Sequence, residues 1–384
     1  MKNRIYLDHA ATTPVSKAVL EAMLPFFTEI PGNASAVYAT GREARKAVEK
    51  ARRQVAAAIG AEPREILFTG GGSESDNLAV KGTAFALQGK GKHIITTAIE
   101  HHAVLNTCEW LEKQGFEVTY LRPDAEGRID PQDVRNALRE DTILISVMAA
   151  NNEIGTIEPT AEIGAIAREA GVTFHVDAVQ AAGAVPIGVN AWNADLLSLS
   201  AHKFYGPKGV GALYVRRGVR IDPLIHGGEQ ERGLRAGTEN TAGIVGMGQA
   251  IEEAAAALEE NSRKTSFLRD RLTQGILSAV PDVKLNGPRE GRLPNNCSVC
   301  FELVDGEALL LRLDLAGIAG SAGSACTAGS QETSHVLKAI GLTEEEARGS
   351  LRLTTGPENT EEEIDETVRA VKEIVEDLRK MYKG

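Results

Sequence analysis

Short apolar runs alternate with helical stretches through the first two-thirds of this chain. The apolar runs predict buried strands at 66–69, 93–97, 142–148, 173–176, 196–199 and 211–215. Helices are predicted over 42–59, where Gly60 supplies the stop, from Ser73 onward, and over 163–170. This alternation is typical of a mostly parallel sheet covered by helices.

The pattern changes near residue 241. A long helix rich in Ala and Glu is predicted from Thr241 to beyond Leu268, followed by a strand near 297–302 and by further helices. Thr360 and Glu363 have the spacing of a capping box at the start of a terminal amphipathic helix. We therefore expect a second, smaller domain in this region.

Composition narrows the classes of function. The 384 residues are 42% hydrophobic, which is enough for full-sized cores, and a formal net charge of -11 argues against nucleic acid as an obligate partner. No apolar run has the length of a signal peptide or a membrane span, so we expect a cytoplasmic protein without a membrane partner. The four cysteines are too few for a disulfide framework in so long a chain, which favours a reducing compartment.

The glycine-rich segment 70–74 lies between a predicted strand and a predicted helix. This segment would place backbone N–H groups and the positive end of the helix near an anion, which suits a phosphate. A tight turn without a ligand is the simpler alternative, and the segment alone favours that alternative.

Asp177 follows the predicted strand 173–176, and Gln180 comes three residues later. Residues just beyond the carboxyl ends of strands face the ligand crevice of an open α/β sheet. A carboxylate there can pair with a protonated pyridine nitrogen. For Asp177 taken alone, however, the role of a helix N-cap is favoured.

Lys203 also follows a predicted strand, so we expect it at the same edge of the sheet as Asp177. Its neighbours are His202 and the apolar pair Phe204 and Tyr205, which predicts a partly buried amine with a lowered pKa. Such an amine can form a Schiff base with the aldehyde of pyridoxal phosphate (PLP).

His101 stands at the junction between the strand 93–97 and the next helix. An imidazole at this place can stack on a flat ring and transfer protons. A capping or core histidine is the alternative, and it is favoured for an isolated residue.

Cys326 lies in the segment 320–330, whose other residues are all Gly, Ser, Ala or Thr. Without bulky side chains to anchor it, the segment is predicted to be mobile and its thiol to be a nucleophile, with a packed thiol as the alternative. Cys297 and Cys300 have the spacing of a metal pair but lie in a predicted strand, where they would point to opposite faces. We therefore expect them to be structural, with no metal site. Cys108 is predicted to fill a helix.

Together these segments resemble the PLP-dependent cysteine desulfurases, specifically the group I branch of this class V aminotransferase-like family. The resemblance runs nearly from end to end. The matching segments lie at 6–14, 94–105, 150–155, 177–180, 200–208, 233–240, 293–296, 326 with 334–337, and 351–353. So many motifs in a fixed order make the resemblance specific.

The resemblance implies the fold and the assembly. The expected fold class is α/β, a fold-type-I PLP transferase with a large domain on a mostly parallel seven-stranded sheet and a smaller α+β C-terminal domain. The large PLP-binding domain would span 15–255. The small domain would combine 1–14 with 256–384 and carry the cysteine loop. A homodimer is expected.

Roles of individual residues are implied in the same way. Lys203 would bind the cofactor covalently, Asp177 would contact the pyridinium nitrogen, and Gln180 the ring hydroxyl. His101 would stack on the ring and transfer protons.

The remaining implied contacts concern the phosphate and the substrate. The phosphate ligands would be Gly72, Ser73, Ser200 and His202, with Thr238 supplied by the second subunit. The substrate carboxylate would be held by Asn152 and Arg352, since a guanidinium suits a bidentate contact.

The implied reaction converts L-cysteine to L-alanine and leaves the sulfur as a persulfide on Cys326, for delivery to an iron–sulfur scaffold or another sulfur acceptor. Selenocysteine lyase activity is the nearest enzymatic alternative, because selenium is the better leaving atom. A sulfur-relay or scaffold protein with minor turnover is an alternative from another class. The presence of Lys203, Asp177, His101 and Cys326 argues against a purely structural role.

Overall fold

The computed structural model describes residues 4–322 and 333–382. Its largest sheet has the strand order β2-β8-β7-β6-β5-β3-β4, with strand numbers following the chain. These strands are β2 (Ile66–Thr69), β3 (His93–Thr97), β4 (Glu117–Leu121), β5 (Thr142–Ser146), β6 (Thr173–Asp177), β7 (Leu196–Ser200) and β8 (Gly211–Val215). In this sheet β8 runs opposite to the other six strands, which are parallel to one another. The predicted α/β class with a mostly parallel seven-stranded sheet is confirmed.

Helices cover both faces of this sheet, as the continuous apolar strands require. Every residue of β2, β3, β5 and β7 is buried, which is typical of strands covered on two sides. The helices of this part of the chain are α1 (Lys17–Met23), α2 (Pro25–Thr28), α3 (Ala39–Ile59), α4 (Gly72–Leu87), α5 (His102–Glu112), α6 (Pro131–Ala137), α7 (Thr160–Ala170) and α8 (Thr241–Ala256).

Most predicted elements are present, with small shifts at their ends. The predicted strands 66–69, 93–97 and 211–215 match the structure, whereas the strand predicted at 142–148 ends at Ser146. The helix α3 begins three residues before the predicted start and ends at Gly60, whose φ of 72° is a conformation that favours glycine. The strand β4 was not predicted, because its partly exposed polar residues hide the apolar pattern.

The single long helix predicted from Thr241 is wrong. The structure has two helices, α8 and α9 (Leu258–Ala279), separated at Ala257. The apolar residues of α8 pack into the large core around the sheet, whereas those of α9 pack into a separate core. One straight helix could not reach both cores.

The separate core belongs to two small sheets and the last helices. In one sheet β10 (Asn296–Phe301) lies between β9 (Val283–Leu285) and β12 (Ser350–Thr354), and in the other β1 (Ile5–Tyr6) pairs with β11 (Ile318–Ala319). The helices are α9, α10 (Gly306–Leu315), α11 (His335–Ala339), α12 (Glu344–Arg348) and α13 (Glu361–Tyr382). The N-terminal strand thus joins the C-terminal part of the chain, while the domain limits 15–255 and 1–14 with 256–384 stay predictions.

Two local predictions in this second region are confirmed. Thr360 N–H donates to Glu363 Oε2 at 3.2 Å and Glu363 N–H donates to Thr360 Oγ1 at 3.3 Å, which forms the capping box of α13. Cys297 and Cys300 are both buried on β10 and contribute to different hydrophobic clusters, as opposite faces of a strand require.

The sheet brings the ends of β6 and β7 to one edge. These strands are parallel neighbours, and Asp177 lies beside Ser198 in register. Lys203 follows β7 in the short 3-10 helix Ala201–Lys203. Within residues 4–322 and 333–382, we find no helix that is both long enough and apolar enough to cross a bilayer.

Candidate active site

A cavity of about 350 Å³ lies at the edge of the sheet where β6 and β7 end. Among the described residues, its wall contains every predicted site residue except Thr238. The predicted residues in the wall are Gly72, Ser73, His101, Asn152, Asp177, Gln180, Ser200, His202, Lys203 and Arg352. Thr238 is exposed and lies outside this wall, and Cys326 lies outside the described residues.

The amino end of α4 forms one side of the cavity. Gly71, with a φ of 152°, leads from β2 into the helix. A Cβ atom on Gly72 would come within 2.9 Å of Val179 Cγ2 and 3.3 Å of Ser200 Cβ, so a larger residue would crowd this space. The N–H groups of the first helical turn lack partners inside the helix and, with the Ser73 hydroxyl, suit an anion.

Asp177 ends β6 and is 6% exposed. Its Oδ1 accepts a hydrogen bond from Val179 N–H at 2.9 Å. Burial raises the pKa of this carboxyl, whereas the bond from Val179 and the positive charge of Lys203 lower it. The capping alternative is observed in part, since the bond from Val179 caps the turn that follows, but residues 179–184 form turns rather than a helix.

The N-terminal segment fixes the position of the Lys203 amine. Lys203 Nζ donates to the carbonyl oxygens of Ala10 and Ala11, the latter at 2.8 Å. Gln180 Nε2 donates to the same oxygen of Ala10 at 3.0 Å. Residues before β2 in the sequence therefore hold two predicted cofactor residues in place.

Two imidazoles in the wall are neutral near pH 7. His101 caps α5, since its Nδ1 accepts a hydrogen bond from Ala103 N–H at 3.1 Å, which places the ring proton on Nε2. Burial, reinforced by the charge of Lys203, lowers the pKa of His101 to about 4. Burial likewise lowers the pKa of His202 to about 4. The capping alternative for His101 is thus observed together with its place in the cavity.

Arg352 brings a positive charge to the cavity from the second core. It lies on β12 and is 1% exposed. Its Nη2 donates to Asp8 Oδ1 at 2.9 Å, and its Nη1 donates to the carbonyl oxygen of Asn152 at 3.0 Å. The two residues predicted to hold the substrate carboxylate are therefore in direct contact.

Comparison with known proteins identifies the family. The family model for class-V aminotransferases matches residues 5–367. The chain belongs to this family. Among its class-V relatives, the cysteine desulfurase IscS of Methanosarcina thermophila is 58% identical over 377 residues, covering 98% of this chain and 93% of that protein. The cysteine desulfurase IscS of Dictyoglomus turgidum is 55% identical and covers 99% of this chain and 96% of that protein.

Solved class-V structures agree with this assignment. A NifS-like protein superimposes with a TM-score of 0.92 at 41% identity, covering 97% of this chain and 100% of that one. SspA in complex with cysteine superimposes with a TM-score of 0.82 at 42% identity, covering 93% of this chain and 100% of that one. The resemblance to cysteine desulfurases and the PLP cofactor predicted from the sequence are confirmed.

The residues in the cavity wall fit the cofactor of a class-V enzyme. The crowded glycine at the amino end of α4 leaves room for a phosphate, with the hydroxyls of Ser73 and Ser200 in the same wall. The buried carboxyl of Asp177 suits a protonated ring nitrogen, and the amine of Lys203 suits an aldehyde.

Several residues of the wall were not predicted as site residues. They are Ala10, Ala11, Asp76, His102, Met148, Glu153, Val179 and His335. Helical spacing could have found Asp76, since it lies one turn after Gly72 on the same face of α4. His335 gave no such signal, because only tertiary packing brings its ring centroid to 4.6 Å from the ring centroid of His102.

Proposed function

We propose that this chain is a PLP-dependent cysteine desulfurase that converts L-cysteine to L-alanine and transfers the sulfur to Cys326 as a persulfide. The observation that carries the proposal is the single cavity shared by Lys203, Asp177 and Arg352. These groups suit a cofactor aldehyde, a pyridine nitrogen and a substrate carboxylate, respectively. Similarity to cysteine desulfurases over nearly the whole chain supports the same activity.

The chain's own residues divide the work of binding. When bound, PLP supplies an aldehyde for the substrate amine and a ring that withdraws electrons from the α carbon. Asp177 would hold a proton on the ring nitrogen, and Gln180, in the same wall, would contact the ring hydroxyl. The phosphate would be held by Gly72, Ser73, Ser200 and His202, which line the same cavity.

Lys203 and His101 are the residues that transfer protons in the proposed reaction. Lys203 would hold the cofactor through its amine, and when free the same amine would take the proton from the cysteine α carbon. His101 carries its ring proton on Nε2 and is neutral near pH 7, so it can donate this proton and take it back.

Arg352 and Asn152 orient the substrate. The guanidinium of Arg352 presents two parallel N–H groups to a carboxylate, which fixes the cysteine in one direction. The bonds of Arg352 to Asp8 and to the Asn152 backbone hold the guanidinium before substrate arrives. Substrate orientation is therefore set by the contact between β12 and the loop after β5.

Cys326 accepts the sulfur. Its thiolate attacks the substrate sulfur, a sulfur–sulfur bond forms, and the carbon–sulfur bond breaks with its electron pair left on carbon, which takes up a proton to become the methyl group of alanine. The other cysteines, Cys108, Cys297 and Cys300, are buried, and burial raises the pKa of each. A buried thiol is a poor nucleophile, so these cysteines are unsuited to the role of Cys326.

The assembly and the acceptor form part of the same proposal. Thr238 is exposed outside the cavity of its own chain, which is the arrangement expected if it completes the phosphate site of a second subunit. The persulfide is delivered to an iron–sulfur scaffold or another sulfur acceptor. We propose a cytoplasmic location, since a reducing compartment keeps the Cys326 thiol available.

The experiment is a product assay on the purified protein. Incubation with L-cysteine and a thiol reductant should release sulfide and L-alanine in equal amounts. Lys203→Ala should lose both products, whereas Lys113→Ala, at an exposed position in the turn after α5, should keep them. Release of sulfide without alanine, or equal turnover by Lys203→Ala, would show that the reaction is a different one.

A further inference from the structure

Asp76 is a buried carboxyl in the wall of the cavity with no assigned role. It lies on α4, one turn after Gly72, and is 1% exposed. Within the part of the chain that the structure describes, its Oδ1 has no hydrogen-bond partner. An ionised carboxylate in this position would lose its hydration without an equivalent replacement.

Among the described residues, the imidazole of His175 lies beside Asp76 but brings no positive charge. His175 and Asp177 lie two residues apart on β6 and face the same side of the sheet, and His175 Nε2 is 3.7 Å from Asp76 Oδ1. The two ring nitrogens of His175 are engaged by the hydroxyls of Ser146 and Ser198 at 2.8 and 2.9 Å. Burial lowers the pKa of His175 to about 3, so this ring is neutral.

A third buried carboxyl, that of Glu100, belongs to the same cluster. Glu100 is 0% exposed, and its Oε1 accepts hydrogen bonds from Thr97 Oγ1 at 2.7 Å and from Met148 N–H at 3.0 Å. Burial raises the pKa of Glu100 well above its usual range. Three ionised carboxylates in one buried cluster would repel one another strongly.

The charges around the cluster select which carboxyl ionises. Burial raises the pKa of Asp177 to about 6, and the hydrogen bond from Val179 and the positive charge of Lys203 keep it from rising further. Burial and the negative charge of Asp177 raise the pKa of Asp76 well above its usual range, and a hydrogen bond with Ser198 opposes this only in part. The neutral ring of His101, in the same wall, adds no charge near pH 7.

We propose that Asp76 is a positioning residue that stays protonated at neutral pH, so that Asp76 and Asp177 together carry one negative charge, located on Asp177. A protonated Asp76 keeps Asp177 as the ionised member that faces the cavity. If Asp76 were ionised instead, repulsion would drive the proton onto Asp177. One carboxylate charge would then match one protonated ring nitrogen of the cofactor. This consequence rests on the proposed function.

The test is the pH dependence of stability in Asp76→Asn, measured by thermal unfolding of the protein as purified. Asn is neutral and has nearly the shape of a protonated Asp. An acid that is neutral when folded must give up its proton on unfolding above about pH 4, so the wild type loses stability relative to the variant as pH rises. We expect the variant to gain a few degrees in melting temperature between about pH 4 and pH 8. A difference that does not change with pH, or a variant that fails to fold, would contradict a neutral Asp76.

A double-variant cycle tests the pairing with Asp177. When Asp177 is already replaced by Asn, the substitution Asp76→Asn should give a smaller pH-dependent gain in melting temperature, because one source of repulsion has been removed. Glu158→Gln is the matched control, since Glu158 is 3% exposed outside the cavity wall and burial raises its pKa to about 8. Its gain with pH should not depend on Asp177. If the gain in melting temperature of Asp76→Asn were equally independent of Asp177, the proposed pairing would be wrong. Neither measurement requires turnover, so failure of the proposed function would be seen separately in the cysteine assay.

Discussion

Arg352 and Asp8 form an ion pair of 2.9 Å that joins β12 to the segment after β1. Their side chains are 1% and 18% exposed. The same N-terminal segment supplies the carbonyl oxygens of Ala10 and Ala11 to Lys203. Residues 8–11 therefore orient both the guanidinium of Arg352, which is proposed to bind the substrate, and the amine of Lys203, which is proposed to bind the cofactor.

Replacing Asp8 by Asn should lower stability in a way that a bound carboxylate reverses. The substitution removes the carboxylate that pairs with the buried guanidinium of Arg352, so we expect the free energy of unfolding to fall by up to about 3 kcal/mol. Burial raises the pKa of Asp8 more than Arg352 lowers it, which limits the loss. L-Alanine, the proposed product, should raise the melting temperature of Asp8→Asn more than that of the wild type. Equal shifts in both proteins would argue against a carboxylate site at Arg352.

Replacing Lys203 by Ala should remove the covalent link to the cofactor. Borohydride reduction of the purified wild type should fix PLP to the peptide that contains Lys203, which mass spectrometry of a digest would locate. The variant should give no fixed cofactor. Finding the reduced adduct on another lysine would show that the assignment is wrong.

Mixing two inactive variants tests whether Thr238 acts in the partner subunit. In a heterodimer of Lys203→Ala and Thr238→Ala, one site has its own Lys203 and receives an intact Thr238 from the other chain. We expect this heterodimer to regain up to about half of the wild-type activity, since one of two equivalent sites is complete. If Thr238 acts within its own chain, no site is complete and the mixture stays inactive.

Acidification should destabilise the protein partly through His101. Its pKa in the folded state is lowered to about 4, so between about pH 6.5 and pH 4 the unfolded chain binds a proton at this ring that the folded chain does not. Stability is therefore lost as pH falls through this range, by about 2 kcal/mol for His101 after allowance for its contact with solvent. In urea unfolding measured at several pH values, the free energy of unfolding of His101→Gln should fall less steeply between about pH 6.5 and pH 4 than that of the wild type. His226→Gln, at an exposed position, serves as the control and should show the same fall in the free energy of unfolding as the wild type.

The fold and the meeting of Asp177 with Lys203 could be predicted because the evidence for them is local. Asp177 and Lys203 each follow an apolar strand, and parallel strands place their carboxyl ends at one edge, so the meeting of these residues follows from the pattern. Only the family resemblance predicted Asn152, Ser200, His202 and Arg352. The break at Ala257 could not be predicted in this way, because it depends on which of two cores each half of the helix enters.

The parts that escaped prediction depend on tertiary contacts. Nothing in the local sequence indicates that the carbonyl oxygens of Ala10 and Ala11 receive the amine of Lys203, or that Asp8 pairs with Arg352. These contacts connect residues that lie far apart along the chain. The roles assigned to individual site residues stay predictions, and they rest on the chemistry of the groups that the fold brings together.

The central claim is that sulfur leaves L-cysteine and arrives on Cys326. The most direct measurement is a brief incubation of the purified protein with L-cysteine, without reductant, followed by intact mass and peptide mapping. The account predicts a mass increase of one sulfur atom on the peptide containing Cys326, lost in Cys326→Ser and retained when Cys108, Cys297 or Cys300 is replaced by Ser. A persulfide on one of those three buried cysteines, with Cys326→Ser still fully active, would contradict it.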